Sequence, residues 1–197
     1  MRPFGRSKTE IWRQLSEELG GTMTSSWRGE KVQVQHEQWV LTLDTYVVMA
    51  NNAPLFFTRM RAPFVNPSAF RFSIRRRNVF SDIAAWLGAQ DVEIGIAEFD
   101  QAFVVKSSNE PRVRELLRDG TLLRQLEQQP TLSLIVKDDE GWFGTTFPER
   151  VDELYFSVHG VINDLDRLKD LFELFAVTLD RLAVTGSAEP VAPDVTL

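Results

Sequence analysis

The sequence predicts an α+β fold: an antiparallel sheet of hairpins with an N-terminal helix, short middle helices and a long C-terminal helix packed on the sheet. Two patterns and one count carry this. Between residues 31 and 77, apolar and polar side chains alternate with period two, interrupted by turn signals, as half-buried strands do. Over 8–19 and 164–182 the apolar residues instead recur every three or four positions, the spacing of one helix face. The chain has 197 residues, 43% of them hydrophobic, with 14 Phe and 5 Trp. That supplies one core of ordinary size, so residues 1–186 are expected to form a single domain. Residues 187–197, which include Pro190 and Pro193, are expected to be a disordered tail.

The elements follow in order. Ser7 or Thr9 can cap the first helix, whose stripe is Ile11, Trp12, Leu15 and Leu19, and Gly20-Gly21 ends it. Val32 and Val34 alternate with Gln33 and Gln35 over a strand at 31–36, and a tight turn follows at 36–38. Trp39–Val48 is a long strand, with Trp39, Leu41, Leu43, Thr45 and Val47 on one side. Asn51-Asn52-Ala53-Pro54 turns into a strand at Leu55–Arg61, and a loop with Pro63, Asn66 and Pro67 leads to another at Phe70–Arg77. The period then changes. Val79, Phe80, Ile83 and Leu87 mark a helix over 78–87 that Gly88 stops. Val92–Ile96 and Ala102–Ser107 read as strands. Asn109 caps a helix that tolerates Pro111 in its first turn, where a missing N–H has no partner to lose. Asp119-Gly120 breaks that helix, and Thr121 caps a second one ending before Pro130. Thr131–Val136, Gly141–Thr146 and Val151–Val158 supply the later strands, the first two joined by a solvated turn at 138–141.

Asn163 or Asp164 caps the last helix, which runs to about Leu182 with Asp164 and Asp166 at the positive end of its dipole. Leu165, Leu168, Phe172, Phe175, Leu179 and Leu182 form a heptad-like seam, and Leu171 and Leu174 widen it. So broad a stripe suits a helix laid across a sheet better than a narrow dimer seam. Core packing is therefore expected, with Leu168, Phe172, Phe175 and Leu179 as the candidate self-association face.

Few of the groups that catalysis needs are here. The chain has no cysteine, which excludes disulfides, thiolate metal sites and cysteine nucleophiles. Its two histidines, His36 and His159, are far apart and do not have zinc-ligand spacing. Neither Gly20-Gly21 nor the pair Gly141 and Gly144 fits a phosphate-cradling loop, and no G-x-S-x-G elbow occurs. Asp44, Glu98, Asp100, Asp152 and Glu153 all fall near strand ends, too many to single out an acid/base pair. No cofactor or metal is implied, and a non-catalytic role is expected. The basic start lacks a following apolar run, and nothing approaches the roughly 20 apolar residues of a spanning helix. A cytoplasmic location without an integral membrane segment is expected.

The net charge of −6 hides an asymmetry: residues 1–81 carry 12 Lys+Arg and 6 Asp+Glu, whereas 138–197 carry 4 and 13. Residues 52–81 contain no acid and six arginines. Strand alternation places Arg59 and Arg61 on one face, and Arg71, Arg75 and Arg77 on one face opposite Phe70, Phe72 and Ile74. If those strands are neighbours, the five arginines share an outer sheet face close to Trp86. Such a face could take the phosphates of anionic lipid or of single-stranded nucleic acid. The acidic C-terminal half could equally neutralise it within the fold, and a pI near 5.1 argues against a dedicated nucleic-acid binder.

The segments Glu98-Phe99-Asp100-Gln101-Ala102-Phe103-Val104-Val105 and Val151-Asp152-Glu153-Leu154-Tyr155-Phe156, each leading into a helix, resemble a group of bacterial proteins that share a domain of unknown function, over about residues 98–182. The resemblance implies no particular chemistry; members of the group often carry membrane helices. The sequence as a whole predicts a bacterial, non-catalytic interaction module, with a protein partner or self-association as the first expectation. Anionic lipid or nucleic acid bound by the arginine face is the second. The third is an apolar ligand carried in a cavity between sheet and C-terminal helix.

Overall fold

The computed structural model describes residues 6–27, 29–78, 91–138, 146–195 and 197. The first part of the chain gives α1 (Lys8–Glu18), β1 (Thr22–Ser26), β2 (Gly29–His36), β3 (Trp39–Ala50), β4 (Ala53–Val65) and β5 (Phe72–Arg76). Then come α2 (Ala97–Ala102), β6 (Phe103–Ser107), α3 (Glu110–Leu116), α4 (Gly120–Gln128), β7 (Ser133–Lys137), β8 (Val151–His159) and α5 (Leu165–Val184). The strands form one eight-stranded sheet in the order β1-β2-β3-β4-β8-β7-β5-β6, antiparallel at every pairing.

The first four strands are the hairpins that alternation predicts. The β3–β4 loop is two residues long, Asn51 and Asn52 between the paired Ala50 and Ala53. Both sit at positive φ, 50° and 62°, as the favoured hairpin turn requires and as asparagine tolerates. β4 continues past its expected end through Pro63, which lies beyond the last residue paired to β3. There the lost N–H interrupts no ladder on that side. Gly21, after α1, lets two backbones meet: a Cβ there would lie 2.6 Å from the Gln33 carbonyl oxygen.

One face of the sheet carries the helices. Ser7 caps α1 in a reciprocal box with Glu10, and Asp164 caps α5 through the Arg167 amide. Trp12 and Leu15 from α1 join Leu168, Leu171, Phe172, Phe175, Leu179 and Leu182 from α5 over Leu41, Leu43, Met60, Phe64, Leu134 and Phe156. The Trp12 indole donates to the Ile162 carbonyl at 3.2 Å, tying α1 to the approach to α5. Leu168, Phe172, Phe175 and Leu179, the candidate self-association residues, are all buried in this core. The seam is taken up inside the chain, and these side chains face the sheet rather than a second copy.

Several elements depart from expectation. Val92–Ile96 is not a strand. Asp100 accepts the amides of Ile94 and Gly95, each at 2.9 Å, and Gly95 sits at φ 86°, so the chain curls into α2 instead. The cap of α4 is Asp119, which accepts from Thr121 and Leu122, rather than Thr121 itself. β1 and α2 have no counterpart among the expected elements. The segment after α5, expected to be disordered, packs against the protein: Ser187 and Ala188 are buried, and the Glu189 amide donates to the Val65 carbonyl at 2.9 Å. The expected helix over 78–87 and strand over 141–146 fall almost wholly outside the described residues, as does Trp86.

Phe175 is fully buried beneath α5. Phe175→Ala is expected to cost about 3–5 kcal/mol, a large part of the roughly 5–15 kcal/mol that holds a domain together. A urea titration giving a loss below about 1 kcal/mol would remove the residue from the core.

Candidate functional site

The face of the sheet opposite the helices is built by the residues that alternate with the core positions. Register puts Asp44 of β3 directly across from Arg59 of β4, and Thr42 across from Arg61. Asp44 accepts from Arg59 Nε and Nη2 at 2.8 and 2.9 Å, and from Arg61 Nη2 at 2.6 Å. The Arg59 guanidinium lies 5.1 Å over the Tyr46 ring, Tyr46 stacks on Phe57 at 5.1 Å, and Phe57 meets the edge of His159 at 5.4 Å. Further along, Lys137 stands 3.7 Å over the Tyr155 ring and 3.1 Å from the Glu153 carboxylate. Burial pushes the Tyr155 phenol well above the ordinary tyrosine range, and the neighbouring Tyr46 phenol adds to the shift.

The predicted arginine set is divided among separate partners. Arg59 and Arg61 share Asp44, an acid of their own half that lies just outside the acid-free stretch. Arg71 pairs with Asp138 at 2.8 Å and Asp152 at 3.2 Å, both from the acidic C-terminal half. Arg75 is half-buried opposite Ser133 and also has a contact within the chain. Arg77 donates to the Asp100 carbonyl at 2.9 Å, and Arg76 to those of Glu127 and Gln129 at 2.5 and 2.6 Å. These last two supply cations and donors to carbonyls near the C-terminal ends of α2 and α4. Among the candidate carboxylates, Asp152 and Glu153 are consecutive in β8 and point to opposite faces, so they do not converge. His36 pairs with Asp180 of α5 at 2.8 Å, far from His159.

Among the described residues, two exposed features stand apart from these pairings. The first is the tip of the β3–β4 hairpin. β3 pairs with β2 only as far as Asp44, and β8 reaches β4 only at Thr58, so the hairpin outruns both neighbours. Its base is braced by Gly160, whose amide donates to the Phe56 carbonyl at 2.7 Å. Val47, Met49 and Phe56 share one face of this tip and are 50, 66 and 50% exposed. Val48 is exposed on the other face, and no charged residue occurs from 45 to 58. Trp27, 89% exposed, lies in the β1–β2 turn at the same end of the sheet. Exposed apolar side chains clustered in this way make the tip a candidate interaction surface. Its signal in the sequence was the uncharged run; its exposure depends on where the neighbouring strands stop.

The second feature is a cleft of about 210 Å³ on the open face, between Gln33, Gln35, Val40 and Pro63 below and Ala192 and Val195 above. The ligand cavity was expected elsewhere, between sheet and α5, where the α5 stripe is buried in the core. No described helix is long and apolar enough to cross a membrane.

No family model matches the sequence, and no curated protein matches it. Among solved structures, the mycobacterial trehalose monomycolate transport factor A, TtfA, is similar with a TM-score of 0.49 and 9% sequence identity, over 97% of this chain and 99% of that one.

Asp44 is the shared acceptor of two largely buried guanidiniums. Asp44→Ala should cost about 3 kcal/mol in a urea titration, because one partner of a buried ion pair is removed while the others stay. Tyr155 gives a pH signature. An acid raised in the folded state keeps its proton there while the unfolded chain has lost it, so stability falls as pH climbs past about 10. Melting curves between about pH 9 and pH 11 should show this loss, and Tyr155→Phe should reduce it.

Proposed function

We propose that the protein is a non-catalytic binding module whose working surface is the apolar tip of the β3–β4 hairpin, and that the surface it engages is lipid. The observation that carries this reading is the exposure of Val47, Met49 and Phe56 on one face of a hairpin that outruns the sheet. Val48 on the reverse face makes the tip apolar on both sides, which suits insertion into a soft layer better than docking on a flat surface. Depth is limited. The outer edges of a two-stranded hairpin carry backbone groups that need water, so the tip belongs at the headgroup boundary rather than in the hydrocarbon.

This differs from attraction by the arginine face. Arg59, Arg61 and Arg71 are engaged by acids within the fold, so lipid charge contributes little. Partly burying a few apolar side chains supplies about 1 kcal/mol each, enough for weak and reversible association.

Co-sedimentation with phosphatidylcholine vesicles, with and without phosphatidylglycerol and at low and moderate salt, checks the reading. Binding to both vesicle types with little salt dependence is expected. Met49→Asp and Phe56→Asp should abolish it while leaving the melting temperature nearly unchanged, since both side chains are exposed. Binding confined to anionic vesicles and lost in salt would return the function to the arginines. No binding, or full binding by the tip variants, would sink the lipid reading.

A further inference from the structure

The open face of the sheet carries a second surface, separate from the hairpin tip, and part of the chain already lies on it. After α5 the backbone turns at Gly186, whose φ is 68°, and the Ser187 amide closes the turn on the Leu182 carbonyl at 2.7 Å. Ser187 and Ala188 are buried, and Arg112 donates to the Ser187 hydroxyl at 3.3 Å. That much is firmly anchored.

Beyond Ala188 the hold is sparse. The Glu189 amide donates to the Val65 carbonyl at 2.9 Å, and its carboxylate meets Arg150 at 2.5 Å with both side chains partly exposed. Lys31 Nζ donates to the Leu197 carbonyl oxygen at 2.6 Å. Between these ends Pro190, Val191, Ala192 and Asp194 are exposed, and residues 190–194 belong to no strand. Ala192, Pro193, Val195 and Leu197 of this segment line the space between it and the sheet. Ala192 and Val195 leave the cleft of about 210 Å³ open above Gln33, Gln35, Val40 and Pro63. That space is unfilled and partly open to solvent, so a closer-fitting segment buries more apolar surface there.

We propose that this face is a groove for an extended, proline-containing peptide with one acidic residue, and that Glu189–Leu197 is its loose occupant in cis. Each part of the groove answers a part of such a ligand. Arg150 takes the acid through a charge-assisted bond. The Val65 carbonyl, at the end of β4, takes a main-chain N–H as an exposed strand end does in peptide recognition. Val40 and Pro63 form an apolar floor beside the polar rim of Gln33, Gln35 and Thr42. Proline keeps the ligand extended in advance, so little ordering entropy is lost on binding. The tether gives the tail an effective concentration in the millimolar range, so it holds the groove against weak ligands and yields to better ones. The unfilled volume says what a better ligand has: a larger apolar side chain where the tail has Ala192.

The test uses a fluorescein-labelled peptide of residues 189–197 and fluorescence anisotropy. Three proteins are compared: the full chain, a chain ending at Ala188, and the full chain carrying Glu189→Arg, which drives the tail off Arg150 without shortening it. Both released forms should bind the peptide saturably at one site. The unaltered chain should bind it at least about tenfold more weakly, because its own tail competes. The peptide carrying Ala192→Leu should bind the released forms more tightly than the native peptide does. Should the shortened chain fail to fold, as its melting curve would report, Glu189→Arg alone decides. The proposal is overturned if no released form that folds binds the peptide saturably, or if the unaltered chain binds it as tightly as they do.

Discussion

The exposed surface of this protein follows from a mismatch in strand length. β3 and β4 have 12 and 13 residues, whereas β2 and β8, which flank them, have 8 and 9. The first half of β3, paired with β2, and the last eight residues of β4, paired with β8, fix the hairpin in the sheet; among the described residues the rest of it has no lateral strand. β8 is decisive because it pairs with β4 on one side and β7 on the other, joining the N-terminal meander to the later strands. Its first six residues are all buried. Pairing of β8 with β4 brings together segments about 90 residues apart, a non-local closure that helices α5 and α1 then seal. Where that ladder stops, at Thr58, the tip begins.

Charge is handled locally throughout the same region. Asp44 gathers two arginines from the next strand, and Arg59 is further held over Tyr46. Arg71 is shared between Asp138 and Asp152. Arg59, Arg61 and Arg71 therefore do not form an open cationic field. What the sheet presents at its end is apolar, and what it presents on its open face is a polar-rimmed groove under a thin strap of chain. The two surfaces lie on different parts of the sheet.

Much of the fold was legible in the sequence because it is written in local patterns. Period-two alternation located β2, β3 and the start of β4; the broad stripe of Leu168, Phe172, Phe175 and Leu179 located α5 and its buried face. Asn109 and Asp164 announced their helices as caps. β1 was illegible because Thr-Met-Thr-Ser-Ser has no apolar alternation, being an exposed edge strand. Val92–Ile96 misled because it alternates, yet one side chain, Asp100, captures its amides. The site was harder to read for a single reason: it depends on register. Counting charges by segment set the arginines against distant acids, while Asp44 stood one strand away, directly opposite Arg59. The exposure of Val47, Met49 and Phe56 likewise depends on where two other strands end, which no window along the chain contains.

The proposed lipid contact requires that the hairpin tip be the part that enters the bilayer. The chain has no cysteine, so one introduced thiol reports on one position. An environment-sensitive fluorophore attached at Met49→Cys, with Glu173→Cys on the exposed side of α5 as the reference, measures this directly. On adding phosphatidylcholine vesicles, emission from position 49 should shift to the blue and that from position 173 should stay unchanged. An unchanged spectrum at position 49, or equal shifts at both positions, would contradict the account.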